Sequence, residues 1–279
     1  MTKQTHMAVR FWGVRGSVPT PDSRFAHYGG HTSCVEIRCG QRTLILDAGT
    51  GLIELGNQLA ASECDILLSH THLDHIHGLL FFKPAYDASK RVRLWAGHLL
   101  PDYSLKNTIS QLMQPPIFPL TTQHFGERTE FIDFHAGELL QHNDFSDHGI
   151  VVKTLPLSHP DRATGYRVEY QGHAVCYITD IEHTPGTMDA ALLSFIAGAD
   201  CLIYDSTYTD EELPHYKGWG HSTWQQGMRL AQMAGVKQFV AFHHDPAAND
   251  AMLDQRAQEM QQSWAEAIVA KEGMELVFA

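Results

Sequence analysis

The segment "LLSHTHLDHIHG", Leu67 to Gly78, places His70, His72, Asp74 and His75 directly behind an apolar run that reads as a buried strand. In extended backbone, side chains at i and i+2 share a face, so His70 and His72 can send both imidazoles to one cation. Asp74 and His75 fall at the first turn of a following helix, where consecutive side chains diverge and can meet a second cation beside the first. The spacing therefore suits two metal ions rather than one. Alternatively, Asp74 caps the helix and the histidines are polar surface groups. His77 lies outside the pattern and is expected to be a bystander.

Further donors stand at the exits of other expected strands. "VKTLPLSHP" delivers His159, "HAVCYITD" delivers Asp180, and "VKQFVAFHHDP" delivers His243 with His244 beside it. Strand ends in an α/β sandwich converge on one edge of the sheets, where loop-borne catalytic groups collect. Taken singly, His159 before Pro160 is a turn residue, Asp180 a cap and His243 a satisfied core histidine. Taken with H-x-H-x-D-H, they complete a set of neutral imidazoles and carboxylates that suits zinc, with manganese and iron also open.

These donors need strands to carry them. β-Branched and aromatic enrichment marks "AVRFWGV", "SCVEIRC", "RTLILD", "CDILLS", "RVRLWAG", "IVVKTLPLS", "GYRVEY", "HAVCYIT", "DCLIYD", "VKQFVAF" and "MELVF". Helical periodicity covers Leu52 to Ala61, Asp74 to Phe82, Thr187 to Ala197, Thr223 to Ala234 and Asp250 to Ala270. "QG" between Gly165–Tyr170 and His173–Thr179 signals a hairpin. Early strands pair as hairpins and later ones alternate with helices, which predicts mixed sheets with outer helices. No repeat or linker divides the 279 residues, so a single domain over 1–279 is expected. The stretch from Leu99 to Asp147, with "QLMQPPIFPLTTQHFGERTEF", interrupts the alternation as either a plain surface excursion or a lid or dimer contact.

Composition narrows the function. With 32 acidic against 20 basic residues the formal net charge is -12, which disfavours bulk nucleic acid as a partner but not a small phosphorylated ligand. No apolar run approaches the roughly 20 residues of a membrane span, and "MTKQTHMAVRF" has no apolar signal core, so the chain reads as cytoplasmic with no membrane partner. The 5 cysteines include no C-x-x-C pair, as expected of reduced, buried thiols. The 19 histidines are scattered without an oligohistidine run.

Together, "RFWGVRGSVPTP", "YGGHTSCVEI", "LILDAGTGL", "HTHLDH", "LSHPDRATGYRVEY", "YITDIEH", "YDSTY", "GWGHSTW" and "FHHDP" resemble the metallo-β-lactamase-fold hydrolases over nearly the whole chain. The likeness is to their phosphodiesterase branch: tRNA 3′-processing endonucleases, phosphoribosyl cyclic phosphodiesterases and class II-like bacterial cyclic-nucleotide phosphodiesterases. It implies a four-layer αββα sandwich and two divalent ions per chain. By position, His70, His72 and His159 would hold one ion, Asp74, His75 and His243 the other, and Asp180 would bridge them. The resemblance favours His243 over His244 because it directly ends its strand. Asp47 would orient a ligand from behind. Two departures stand out: His31 replaces a usual asparagine, and Gly218 occupies the place of a glutamate three residues before the histidine matching His221.

The implied chemistry is attack on phosphorus by a metal-bound hydroxide, since two ions about 3.5 to 4 Å apart lower the pKa of a shared water to about 7. His221 is the expected proton donor to the leaving oxygen, unless it is an exposed histidine capping the helix that begins near Ser222. Arg15 and Arg167 are candidates to pair with phosphate or to serve structurally. A 3′,5′-cyclic nucleotide is the leading substrate, with a homodimer possible. A ribose cyclic phosphate, an RNA 3′ end or a thioester is the alternative at the same site, and a non-catalytic metal-stabilised sensor the third.

Overall fold

A computed structural model describes residues 6–140, 142–184, 187 and 189–279. The N-terminal residues 1–5 and Met188 of the expected helix from Thr187 lie outside the described residues. Thirteen strands run in chain order: β1 (Met7–Gly13), β2 (Cys34–Cys39), β3 (Arg42–Leu46), β4 (Glu63–Leu68), β5 (Arg91–Ala96), β6 (Thr129–Asp133), β7 (Ile150–Leu157), β8 (Ala163–Tyr170), β9 (His173–Ile178), β10 (Cys201–Asp205), β11 (Gln238–Phe242), β12 (Ala267–Val269) and β13 (Glu275–Phe278). The helices are α1 (Gly51–Gln58), α2 (Leu73–Ile76), α3 (Lys83–Tyr86), α4 (Leu105–Leu112), α5 (Asn143–Ser146), α6 (Ala190–Ile196), α7 (Trp224–Met233) and α8 (Asp250–Ser263).

The strands form a seven-stranded sheet in the order β13-β1-β2-β3-β4-β5-β6 and a six-stranded sheet in the order β12-β11-β10-β9-β8-β7. Period-two alternation decides what each face buries. Along β3 and β4, Leu44, Leu46 and Leu67 join the core between the sheets, whereas Ile45, Ile66 and Leu68 face outward under Leu52, Leu55, Leu105 and Ile109 of α1 and α4. In the second sheet Ile203, Val240 and Phe242 point inward, while Leu202, Tyr204 and Phe239 meet Leu192, Met228 and Leu253 of α6, α7 and α8. Two sheets buried on both faces, each backed by helices, make the αββα sandwich.

Strand direction then collects the site. β3, β4 and β5 are mutually parallel, as are β9, β10 and β11. β7 runs antiparallel to β8 and β8 to β9, so β7 ends on the same edge as β9. Between β8 and β9 the "QG" hairpin turns through Gln171 and Gly172, both at positive φ (52° and 84°), as a two-residue turn matched to strand twist requires.

Three expectations need correction. The periodicity from Asp250 to Ala270 ends at Ser263, where Trp264 is extended (φ -159°), and Ala267–Val269 pair in parallel with β11 instead. The helix from Asp74 to Phe82 is a single turn, α2, followed by a 3-10 segment, His77–Phe81. Within Leu99–Asp147, β6 pairs with β5 and closes one sheet edge, so part of this excursion belongs to the sandwich itself. All five cysteines are buried and free. Among the described residues, no helix is long and apolar enough to cross a membrane.

Candidate metal centre

Most of the donors leave a strand end, while Asp74 and His75 lie on α2. His70 and His72 follow β4, His159 follows β7, Asp180 follows β9, Asp205 ends β10 and His243 follows β11. Asp47, Asp180 and His243 all adopt positive φ, 62°, 55° and 59°. Such conformations are uncommon for residues with a side chain and cluster where surrounding structure holds functional groups against local preference.

The donor atoms form overlapping clusters: His70, His72 and His159; His70, His75 and Asp180; Asp74, His75 and His243; and Asp180, Asp205, His221 and His243, each set lying within 4.8 Å. Asp180 stands in the middle. Its Oδ1 lies 3.8 Å from His70 Nε2 and 3.9 Å from His159 Nε2, and its Oδ2 lies 3.3 Å from His75 Nε2 and 3.4 Å from His243 Nε2. One carboxylate oxygen thus faces each half of the histidine set. On the second half, Asp74 Oδ2 lies 3.2 Å from His75 Nε2 and 3.4 Å from His243 Nε2. Asp74 does not cap α2; its Oδ2 accepts from the Ser17 N–H at 2.7 Å.

These residues fit a metal by two observations. His70 Nε2 is buried and has no hydrogen-bond partner, an arrangement that costs free energy unless a ligand completes it. Charge balance says the same. Burial and the neighbouring imidazoles hold His70 well below the ordinary histidine range, and burial lowers His159 to about 4, so both are neutral lone-pair donors at neutral pH. Burial also opposes charge on His75, but Asp74, Asp180 and Asp47 outweigh it and raise its pKa well above normal. Three carboxylates around one buried imidazole demand positive charge there, which a divalent cation supplies.

Partners behind the donors fix them. Asp47 Oδ2 accepts from His75 Nδ1 at 2.8 Å, Tyr177 OH at 2.7 Å and Ser69 Oγ at 2.8 Å, and its Oδ1 accepts from the Ser69 N–H at 2.6 Å. That bond leaves His75 Nε2 turned to the cluster. Asp161, which the sequence did not single out, accepts from His72 Nε2 at 2.8 Å and leaves Nδ1 as the ring's other donor.

His221 stands within the last of these clusters, with Asp180, Asp205 and His243, rather than in solvent. Its ring packs against that of His243 at 5.0 Å, and its Nδ1 lies 3.0 Å from Asp205 Oδ2. Thr223 caps α7 through the Gln226 N–H, so His221 does not serve that purpose. The missing glutamate at Gly218 therefore does not leave His221 unpaired: Asp205, from the strand end before it, supplies the carboxylate.

Other candidates separate from the site. His244 is buried and directs Nε2 to the Ala270 carbonyl at 2.8 Å, with burial lowering its pKa to about 3. His77 is exposed. Arg15 is buried with Nε on the Gly29 carbonyl (2.8 Å) and Nη1 on that of Ala248 (2.6 Å). Arg167 binds Glu169 at 2.7 Å and the Phe195 and Ala197 carbonyls at 3.0 and 3.1 Å. Both guanidiniums are tied to the scaffold, although Arg15 Nη2 itself has no hydrogen-bond partner. His31 Nδ1 meets Thr50 Oγ1 at 3.2 Å.

Two cavities flank the cluster. One of about 390 Å³ is lined by Thr71, His72, His98, Tyr103, Asp161 and Arg162, and one of about 360 Å³ by His159, Pro160, Glu182, His183, Lys217 and Gly218.

A four-layer sandwich with a cluster of histidines and aspartates at its strand ends defines a metal-dependent hydrolase of the metallo-β-lactamase fold. Residues 42–244 match the family described as "Beta-lactamase superfamily domain", and the chain belongs to that family. A ribonuclease Z of Thermoplasma acidophilum is 22% identical over 302 residues, covering 93% of this chain and 94% of the relative. A ribonuclease Z of Haloferax volcanii is 31% identical over 144 residues, 51% of this chain and only 39% of the relative's length. The crystal structure of the metallo-beta-lactamase fold protein YhfI from Bacillus subtilis superposes with a TM-score of 0.71 at 20% identity, covering 99% of this chain and 100% of that one.

Proposed function

We propose that the protein is a dinuclear-metal phosphodiesterase acting on a small phosphorylated substrate, foremost a 3′,5′-cyclic nucleotide. The observation that carries the two-metal assignment is Asp180, whose two oxygens face different halves of the histidine set. In this reading His70, His72 and His159 hold one ion, Asp74, His75 and His243 the other, and Asp180 both. Zinc suits such a donor set, with manganese or iron as alternatives. Bound there, two divalent ions supply Lewis acidity toward the phosphate and an activated water.

The chain's own residues do the rest. Asp47 and Asp161 hold His75 and His72 in fixed orientation and tautomer. His221, with Nδ1 engaged by Asp205, presents Nε2 to give a proton to the leaving oxygen. Burial disfavours its cation, while Asp205, hydrogen-bonded at 3.0 Å, favours it and holds the ring in place to deliver a proton.

The size of the flanking cavities and the net charge of -12 favour a small phosphodiester over a long polyanion. Similarity to two ribonucleases Z favours a second reading, hydrolysis at an RNA 3′ end. A panel of cyclic nucleotides, ribose cyclic phosphates, tRNA precursor and thioesters decides between them. Turnover of cyclic nucleotides well above the others is the expected result, and turnover of tRNA precursor alone overturns the small-substrate assignment.

A further inference from the structure

We infer that Glu182 is a positioning residue for His221, holding the loop that carries it; this rests on the proposed role of His221 as proton donor. Glu182 lies two residues beyond Asp180, and its own N–H is tied to the Ser158 carbonyl at 2.8 Å, next to His159. Its carboxylate spans the gap to the His221 loop. Oε1 accepts from the Gly218 N–H at 2.8 Å, while Oε2 accepts from the same N–H at 2.9 Å and from Gly220 N–H at 2.8 Å.

The two flanks of His221 are anchored differently. On its C-terminal side, the Ser222 carbonyl accepts from the Tyr208 N–H at 3.1 Å and the Ser222 hydroxyl meets Tyr204 OH at 2.9 Å. On its N-terminal side, the carboxylate of Glu182 gathers the chain. Gly218 and Gly220 have φ of 88° and 87°, so the backbone here takes a shape that side chains disfavour. At Gly220 a Cβ would also overlap the imidazole of His159. The loop therefore passes against one proposed ligand, is fastened by a side chain next to another, and delivers His221 to Asp205. An ionised carboxylate accepting backbone N–H groups is a strong fastener, and a misplacement of about 1 Å in a reacting group can cost on the order of 10²-fold in rate.

The test is a double-mutant cycle of Glu182→Ala with His221→Ala, read as kcat on a diester with a poor alkoxide leaving group and on bis(4-nitrophenyl) phosphate, with metal content measured throughout. Glu182→Ala alone should retain its metals and lose roughly 10- to 100-fold on the poor leaving group and several-fold less on the good one. In the His221→Ala background the same substitution should have no further effect. Additive losses, or equal losses on both substrates, would show that Glu182 acts elsewhere and overturn the inference. If His221→Ala itself shows no leaving-group dependence, the fault lies with the proton-donor role instead. Gly218→Ala disturbs the same loop while keeping the Glu182 side chain and should show the same signature; should Glu182→Ala not fold, its behaviour decides, and a uniform loss there overturns the inference.

Discussion

His221 Nδ1 lies 3.0 Å from Asp205 Oδ2, and the two share one donor cluster with Asp180 and His243. The imidazole has one nitrogen committed to a buried carboxylate and its other free to exchange a proton. His221→Ala should therefore keep both metals and lose roughly 10²- to 10⁴-fold in turnover on a cyclic nucleotide. The loss should shrink with a nitrophenolate leaving group, which departs without a proton. Equal losses on both, with metals intact, would assign His221 to phosphate binding, and no loss would remove it from the site.

Metal content tests the cluster as a whole. Elemental analysis of unchelated protein should return about two transition-metal ions per chain, the number two facing donor sets imply. Strong chelators should abolish turnover, and zinc should restore it. A stoichiometry of zero with activity indifferent to chelators would remove the two-metal reading.

The proposed bridging role of Asp180 and the proposed terminal role of Asp74 predict different outcomes. Asp180 reaches the imidazoles of His70, His159 and His221 through one oxygen and those of His75 and His243 through the other, whereas Asp74 approaches His75 and His243 through a single oxygen. Asp180→Ala should thus lower turnover more than Asp74→Ala and release metal from both positions. Retention of both metals with near-normal turnover in Asp180→Ala would reassign the bridge.

Much of this arrangement is written locally. Apart from Arg42 and Asp205, the strands Arg42–Leu46 and Cys201–Asp205 are runs of apolar, aromatic or β-branched residues, and a donor at the end of such a run has one place to go: the sheet edge. What escaped local patterns depends on distant contacts. Asp205 and His221 are separated by 16 positions and meet because β10 ends where the loop before α7 returns. Asp161 carries no local signal, since its partner His72 lies 89 positions away. Ala267–Val269 carry apolar residues compatible with a helix, and pairing with β11 makes them strand instead. β6 hid in a proline-rich stretch because its five residues are all only partly buried and show no clear alternation.

Asp47 tests how far support behind the ligands matters. Its carboxylate accepts four hydrogen bonds, from His75, Tyr177 and, twice, Ser69, in a fully buried position and from a left-handed backbone. Asp47→Ala leaves these donors without an acceptor, a disruption of a buried charged network worth about 3–5 kcal/mol. It also frees the His75 ring to rotate or change tautomer, and loss of such a partner typically lowers metal affinity 10- to 100-fold. Asp47→Asn keeps the shape and an acceptor oxygen, so it should recover most of the folding stability. Its amide nitrogen, however, presents a donor where His75, Ser69 and Tyr177 need acceptors, so metal affinity should stay depressed. Thermal unfolding and competitive metal titration on both variants separate the two effects. If Asp47→Asn bound metal as tightly as the unaltered protein, Asp47 would be a packing residue and not the group that aims His75.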